Sequence, residues 1–341
     1  MSPPPTQAET FNIERSPRPI LAREAESTYW MSRYVERVEN IARMLLVSVE
    51  TLVEMRDLAP SILDHQWESV LRVMHVDAPA PIAGQSIARR ISYHMTFEES
   101  NPNSLMSCLT RARENARGIR EGISSEMWEH LNTLYWAIRA DEATARFHDT
   151  PAQFFQQVVT GAMNFQGLTD QTLPHDQRWH FARLGRHFER VAFTCRTMLE
   201  KFDILSALQD AAATGPDSPF RNIQGVGLLR CCNSQEAYRR AYPGELHPRM
   251  IAGFLMLDSK FPRSVRHCVR SASDAASAIR SEARPKSVDA AERTLGKLQA
   301  RLDYADPTDI LEGIGLTTEL GYIQQQVARA ALAVQKSYFL H

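Results

Sequence analysis

The chain carries the same pattern of charges twice, at a constant offset of 153 positions. In RYVERVENIARMLL the residues Arg33, Glu36, Arg37, Val38, Arg43 and Leu46 are matched in RHFERVAFTCRTML by Arg186, Glu189, Arg190, Val191, Arg196 and Leu199. At 100° per residue, Arg33, Glu36, Arg37, Asn40 and Arg43 fall on one side of a helix, opposite Tyr34, Val35, Val38, Ile41, Leu45 and Leu46. The second copy sets Arg183, Arg186, Glu189, Arg190 and Arg196 against Leu184, Phe188, Val191, Cys195, Met198 and Leu199. Two helices amphipathic in one register constrain the fold more than any other feature.

A charged helix face is ordinarily solvated and laced with i,i+4 pairs, and Glu39 with Arg43 fits that pattern. Arg37 does not, because its neighbours at three and four positions are Arg33, Tyr34, Asn40 and Ile41. Arg190 repeats this, among Arg186, His187, Phe193 and Thr194. An acid must reach each arginine from elsewhere. Glu36 and Glu189 crossing between the helices would give a buried Glu/Arg seam that sets how they dock. A carboxylate or phosphate on a ligand would serve equally well electrostatically. The cross-pair is favoured, since a packing network needs no substrate.

Helical periodicity runs through the chain, and no alternating β-branched run bounded by hairpin turns interrupts it. The expected fold is all-α: a large helical bundle built from two related helical halves, roughly 21–150 and 151–341. A first long helix is expected over about Ala22 to Met55, with shorter ones over Gln66 to Val76 and Ile82 to Met95. Asn103 or Ser104 can cap the next, which could stop at Gly122. Thr150-Pro151 with Gln153 reads as a capping box with proline at the first helical position, and Asp306-Pro307 opens a final helix to about Phe339. The Gly/Pro/Ser-rich stretch 211–222 reads as a loop.

With 341 residues, 43% hydrophobic and 23% charged, the chain can bury a large core. Its formal net charge of −1 gives no bulk attraction to nucleic acid or membranes. Five of the 18 prolines lie in the first twenty residues, which read as a flexible arm without a secretory signal. The five scattered cysteines read as reduced, which points to a cytoplasmic protein, and the adjacent Cys231-Cys232 read as buried small hydrophobes. Of 39 basic residues only five are lysines. Arginine suits bidentate contacts to carboxylate or phosphate, although a GC-rich genome yields the same bias.

Two further basic clusters stand out. Arg113, Arg117 and Arg120 form a stripe, with Glu114 and Glu121 nearby. Arg263, Arg266 and Arg270 gather at a helix start beside Pro262, where Arg263 and Ser264 could hold an anion. His187 and His267 sit beside arginines and read as surface or hydrogen-bonded residues, rather than acid–base groups. Trp30, Trp128, Trp136 and Trp179 read as core anchors. Glu-x-x-His, His-Glu-x-x-His, Walker A, Gly-x-Ser-x-Gly and Asp-rich diphosphate motifs are all missing, so no metal or cofactor is expected.

On these residues the chain resembles the bacterial alpha-E family, a helical domain named for its Glu-Arg motif. The resemblance rests on AESTYWMSRYVERVENIARML, NPNSLMSCLTRARENARGIREGISSEMWEHLN, HDQRWHFARLGRHFERVAFTCRTML and FLMLDSKFPRSVRHC, and spans about 20 to 340. It implies partnership with circularly permuted ATP-grasp-type ligases and transglutaminase-like proteins in peptide or amide-bond synthesis or modification. Glu36-Arg37 and Glu189-Arg190 match the naming motif, with no catalytic role attached. The chain is therefore expected to be an accessory, partner- or peptide-binding protein. The alternatives are an enzyme whose Glu acts as general base in a Glu/Arg-lined pocket, or a purely structural scaffold.

Overall fold

The computed structural model describes residues 20–55, 60–210, 219–244, 246–283 and 290–339. Among them are α1 (Ala22–Met55), α2 (Pro60–Met74), α3 (Ile87–Thr96), α4 (Leu105–Gly118), α5 (Ser125–Arg139), α6 (Asp141–Asp149) and α7 (Pro151–Thr172). There follow α8 (Gln177–Asp210), α9 (Pro219–Cys231), α10 (Gln235–Ala241), α11 (Pro248–Leu257), α12 (Val265–Ala283), α13 (Ala290–Asp303) and α14 (Leu316–Val334). The fold is all-α, with no strand among the described residues.

The two helices that carry the repeated charges, α1 and α8, are each 34 residues long and pack against one another. Helices α4 and α7 lie against α1, while α12 and α14 lie against α8. Buried apolar side chains form two clusters. One joins Leu45, Trp67, Leu109 and Phe155 and extends through α7 to Leu173, past residue 150 where the two halves were expected to divide. The other joins Tyr29, Phe188, Leu255, Val269, Leu298 and Ile323. α1 and α8 contribute to both, so the charged faces meet between two apolar masses.

Local chemistry explains where helices begin and end. The bounds expected for α1 match those observed. The helix expected from Ile82 starts only at Ile87, because Gly84 turns the chain at φ 77° and Ser86 accepts a cap from the Arg89 amide. α2 instead starts earlier than expected, at Pro60. Ser104 caps α4, which ends at Gly118; a separate 3-10 turn, Arg120–Gly122, carries the chain onward. The capping box at Thr150 does not form: its hydroxyl donates to the Arg146 carbonyl, closing α6 instead of opening α7.

The expected continuous last helix is interrupted. Asp306 accepts from the Thr308 amide just ahead of a short π-helical turn, Asp309–Ile314, and Gly315 at φ 87° breaks the chain before α14. Of the stretch expected as a loop, residues 219–222 are the first turn of α9, and 211–218 lie outside the described residues, as does the arm at 1–19. All five cysteines are buried and free. No helix is long and apolar enough to cross a membrane, among the described residues.

The tryptophans meet the core-anchor expectation in part, since Trp30, Trp128 and Trp179 pack against the apolar clusters and Trp136 does not. Trp67 is the buried one; Trp136 is 55% exposed, and Trp30, Trp128 and Trp179 are half-buried against arginines. Guanidinium groups stack on indole faces, so aromatic mass need not be internal.

Gly185 of α8 makes the α1 contact feasible, since a Cβ there would lie 2.2 Å from the Tyr29 carbonyl oxygen. That atom is backbone and cannot swing aside. Gly185→Ala should therefore lower unfolding free energy by at least about 1–3 kcal/mol, measured by urea denaturation.

Candidate functional site

The charged faces of α1 and α8 meet, and each helix supplies the acid that the other lacks. Glu189 accepts from Arg37 Nε at 2.7 Å and Nη2 at 2.9 Å, and from Arg33 Nε at 2.9 Å. Reciprocally, Glu36 accepts from Arg190 Nε at 2.9 Å and Nη2 at 2.8 Å. Both Glu–Arg pairs are bidentate, the geometry in which guanidinium and carboxylate bind most strongly.

The segment before α12 and the side of α7 complete the network. Arg263 donates to Glu39, Glu36 and Asn40, each at 2.9 Å. Gln166 donates to Glu36 and Glu39 at 2.9 Å and accepts from Arg190 at 3.2 Å. Glu39 also holds Arg43 at 2.8 Å. Arg37 continues to the Asn103 side chain at 3.0 Å, and Arg190 to the Pro262 carbonyl at 3.4 Å. Pro102, Ser104 and Cys108 recur as Pro262, Ser264 and Cys268, 160 positions on. That second repeat is the sequence signal that points to Asn103 and Arg263 as members of the seam.

Burial makes these bonds matter. Glu36, Glu39 and Glu189 are inaccessible, and Arg43, Arg190 and Arg263 are buried. Burial alone would raise the Glu189 carboxyl, but Arg37, then Arg33 and Arg196, hold it well below the usual carboxylate range. Burial likewise opposes ionisation of Glu39, and Arg263, Arg43 and Arg190 outweigh it, bringing its pKa down to about 2. Arg196 is the exception among the seam candidates. It approaches Glu189 only to 3.9 Å, and burial weakens its charge with Arg37 and Arg33 nearby.

Five candidates therefore converge directly: Arg33, Glu36, Arg37, Glu189 and Arg190. Arg43 joins through Glu39, while Arg186 turns to Asp170 of α7 with two bonds of 3.0 Å. The basic cluster at α12 splits, correcting the expectation. Arg263 points into the seam, whereas Arg266 and Arg270 both pair with Asp303. Ser264 uses its hydroxyl to cap the His267 amide. The stripe on α4 lies apart from the seam. Arg113 bonds Asn132 at 2.8 Å and packs against Tyr135, Trp128 and Trp136; Arg117 pairs with Glu114, and Arg120 lies over Trp128.

Glu36, Arg37, Glu189 and Arg190 thus pair with one another and do not line a common open concavity. Next to the seam, however, α7, α8 and α12 enclose a cleft of about 460 Å³ to which Arg190, Arg263 and Glu39 contribute. His187, expected at the surface or hydrogen-bonded, is buried on its wall with Nδ1 unpartnered. No group of His, Cys, Asp and Glu suited to a metal ion occurs among the described residues.

Residues 20–339 match the Alpha-E family, described as "a predicted alpha-helical domain with a conserved ER motif". The chain belongs to the Alpha-E family. In this Alpha-E protein the Glu-Arg dipeptides at 36–37 and 189–190 are the two that exchange partners. Uncharacterized proteins of Mycobacterium bovis and Mycobacterium tuberculosis are 23% identical to it over 287 residues, covering 77% of the chain. The chain spans 30% of the length of these curated relatives. No solved structure matches it.

Removing one partner of a buried pair leaves a charge with no solvent and no counter-ion. Glu189→Gln and Glu36→Gln should each cost about 3–5 kcal/mol by chemical denaturation. Acid should act in two stages. Burial, with Arg186, Arg190, Arg183 and His267 around it, depresses His187 well below its ordinary 6.5, so stability complete above pH 6.5 begins to fall beneath it. The contribution of Glu39 is complete above about pH 4.5 and is lost as pH falls toward 2. Unfolding free energies measured from pH 8 downward should show both, with His187→Asn removing the first.

Proposed function

We propose that this Alpha-E protein is a non-catalytic, partner-binding component of an ATP-grasp-linked system that makes or modifies peptide or amide bonds. The observation that carries the binding role is the closure of the seam. Glu36, Glu39 and Glu189 each accept from two or more side chains, and burial keeps them from water. A general base needs an available lone pair and a pKa near working pH. All three carboxylates have their oxygens engaged, and Glu39 and Glu189 are in addition held below the usual carboxylate range by guanidinium groups, which favours binding over catalysis by these glutamates.

The resemblance that names ATP-grasp-type and transglutaminase-like proteins as partners supplies the system. Its support here is the length of the relatives, in which the matched region is a minor part of a larger chain. A helical module joined to other sequence suits work done beside a second protein. The α4–α5 face offers a surface for it: Trp136 is 55% exposed, and Arg117 at its edge is largely exposed as well. Tryptophan and arginine dominate binding energy at protein interfaces.

Co-purification of the full chain with an ATP-grasp-type protein encoded in the same genome, with and without ATP and peptide, tests this. A stable complex is expected, weakened at least about tenfold by Trp136→Ala or Arg117→Glu. Absence of association under every condition would overturn the proposal.

A further inference from the structure

The cleft beside the seam has features that neither the seam nor a partner surface requires. Its volume of about 460 Å³ falls within the range of small-ligand pockets, about 300–1,000 Å³. Two of the helices that line it carry i,i+4 pairs, Arg183 with His187 on α8 and His267 with Ser271 on α12. That spacing puts each pair on one helix face. Polar groups therefore reach the space from two helices.

Arg183 makes no hydrogen bond or ion pair among the described residues. Asp274 and Asp170 act on it only through space, and Asp170 is engaged by both terminal nitrogens of Arg186. The Arg183 guanidinium instead lies 4.5 Å from the centroid of Trp179, whose ring stacks on His175 at 3.8 Å. This stack orients the cation without neutralising it.

The second unexplained group is His187. It is 5% exposed, lines the cleft, and its Nδ1 is buried without a partner. Around it lie the guanidinium groups of Arg183, Arg186 and Arg190 and the imidazole of His267. A buried polar atom left unpaired costs about 1–3 kcal/mol, and a ligand in the cleft that drew the His187 ring into a hydrogen bond would recover it.

We propose that this cleft binds a phosphate monoester, its phosphoryl oxygens between Arg183 and His187 on one wall and His267 and Ser271 on the other. The organic part leaves along Met163 and Gly167 of α7. A tetrahedral dianion fits donors on two walls better than a planar carboxylate, which takes its bonds near one plane. The site stands apart from any ligase: failure of the co-purification leaves it intact, and its own failure leaves that association intact.

Isothermal titration calorimetry of the full chain at fixed ionic strength tests it, with phenyl phosphate, inorganic phosphate and benzoate as probes. Phenyl phosphate should bind saturably at one site, inorganic phosphate should compete with it, and benzoate should bind at least about tenfold more weakly. Arg183→Gln should cut phenyl phosphate affinity by roughly tenfold or more, the loss of a charge-assisted contact. Ser271→Ala should cut it several-fold, and Arg329→Gln, at an exposed position of α14 outside the cleft lining, should leave it unchanged. Circular dichroism confirms that each variant is folded, and Ser271→Ala decides the matter if Arg183→Gln is not. No saturable binding of either phosphate probe, no competition between them, benzoate equal to phenyl phosphate, or affinity indifferent to both cleft variants would each overturn the site.

Discussion

A carboxylate taken out of water must find cations, and in this chain it finds them on another helix. Glu36 and Glu189 are anchored by Arg190 and Arg37 respectively, so each of the two long helices is electrically incomplete without the other. Everything else in the fold is arranged around that exchange. Gly185 lets the backbones come close enough, α7 supplies Gln166, and the segment before α12 supplies Arg263. Two apolar clusters flank the seam and keep water out of it. The packing energy comes from those clusters; the charges determine which register they adopt.

Much of this was legible in the residues. Long periodic stretches mark helices strongly, which is why the bounds of α1 could be read off. The exchange could be anticipated because Arg37 and Arg190 have no acid within reach on their own helices. Arg263 was harder: its partner Glu36 is 227 positions away, and its immediate neighbours suggest an anion site at a helix start. The tryptophans were read correctly only in part, for a physical reason. Their size argues for burial, yet abundant arginines give them stacking partners at the surface, and only Trp67 is enclosed.

The cleft was not legible because its walls come from α7, α8 and α12, brought side by side only by the fold. His187 and His267 were visible as histidines beside arginines, a pattern that usually means little. What distinguishes His187 is burial without a partner, and burial is not written in local sequence. The arginine excess was visible, but most of it is consumed by ion pairs. Arg183 is the informative cation because it is not.

The sequence separation within the seam bears on how the chain acquires its structure. Glu36 waits for Arg190, 154 positions later, and for Arg263, later still. A ribosome that has released α1 has made a helix whose Glu36 still lacks both guanidinium groups it ends beside. Loop closure over such distances is slow, and contacts of this span form late in folding. Helix α1 is therefore among the last to settle, and while it waits its apolar face is a natural client for chaperones.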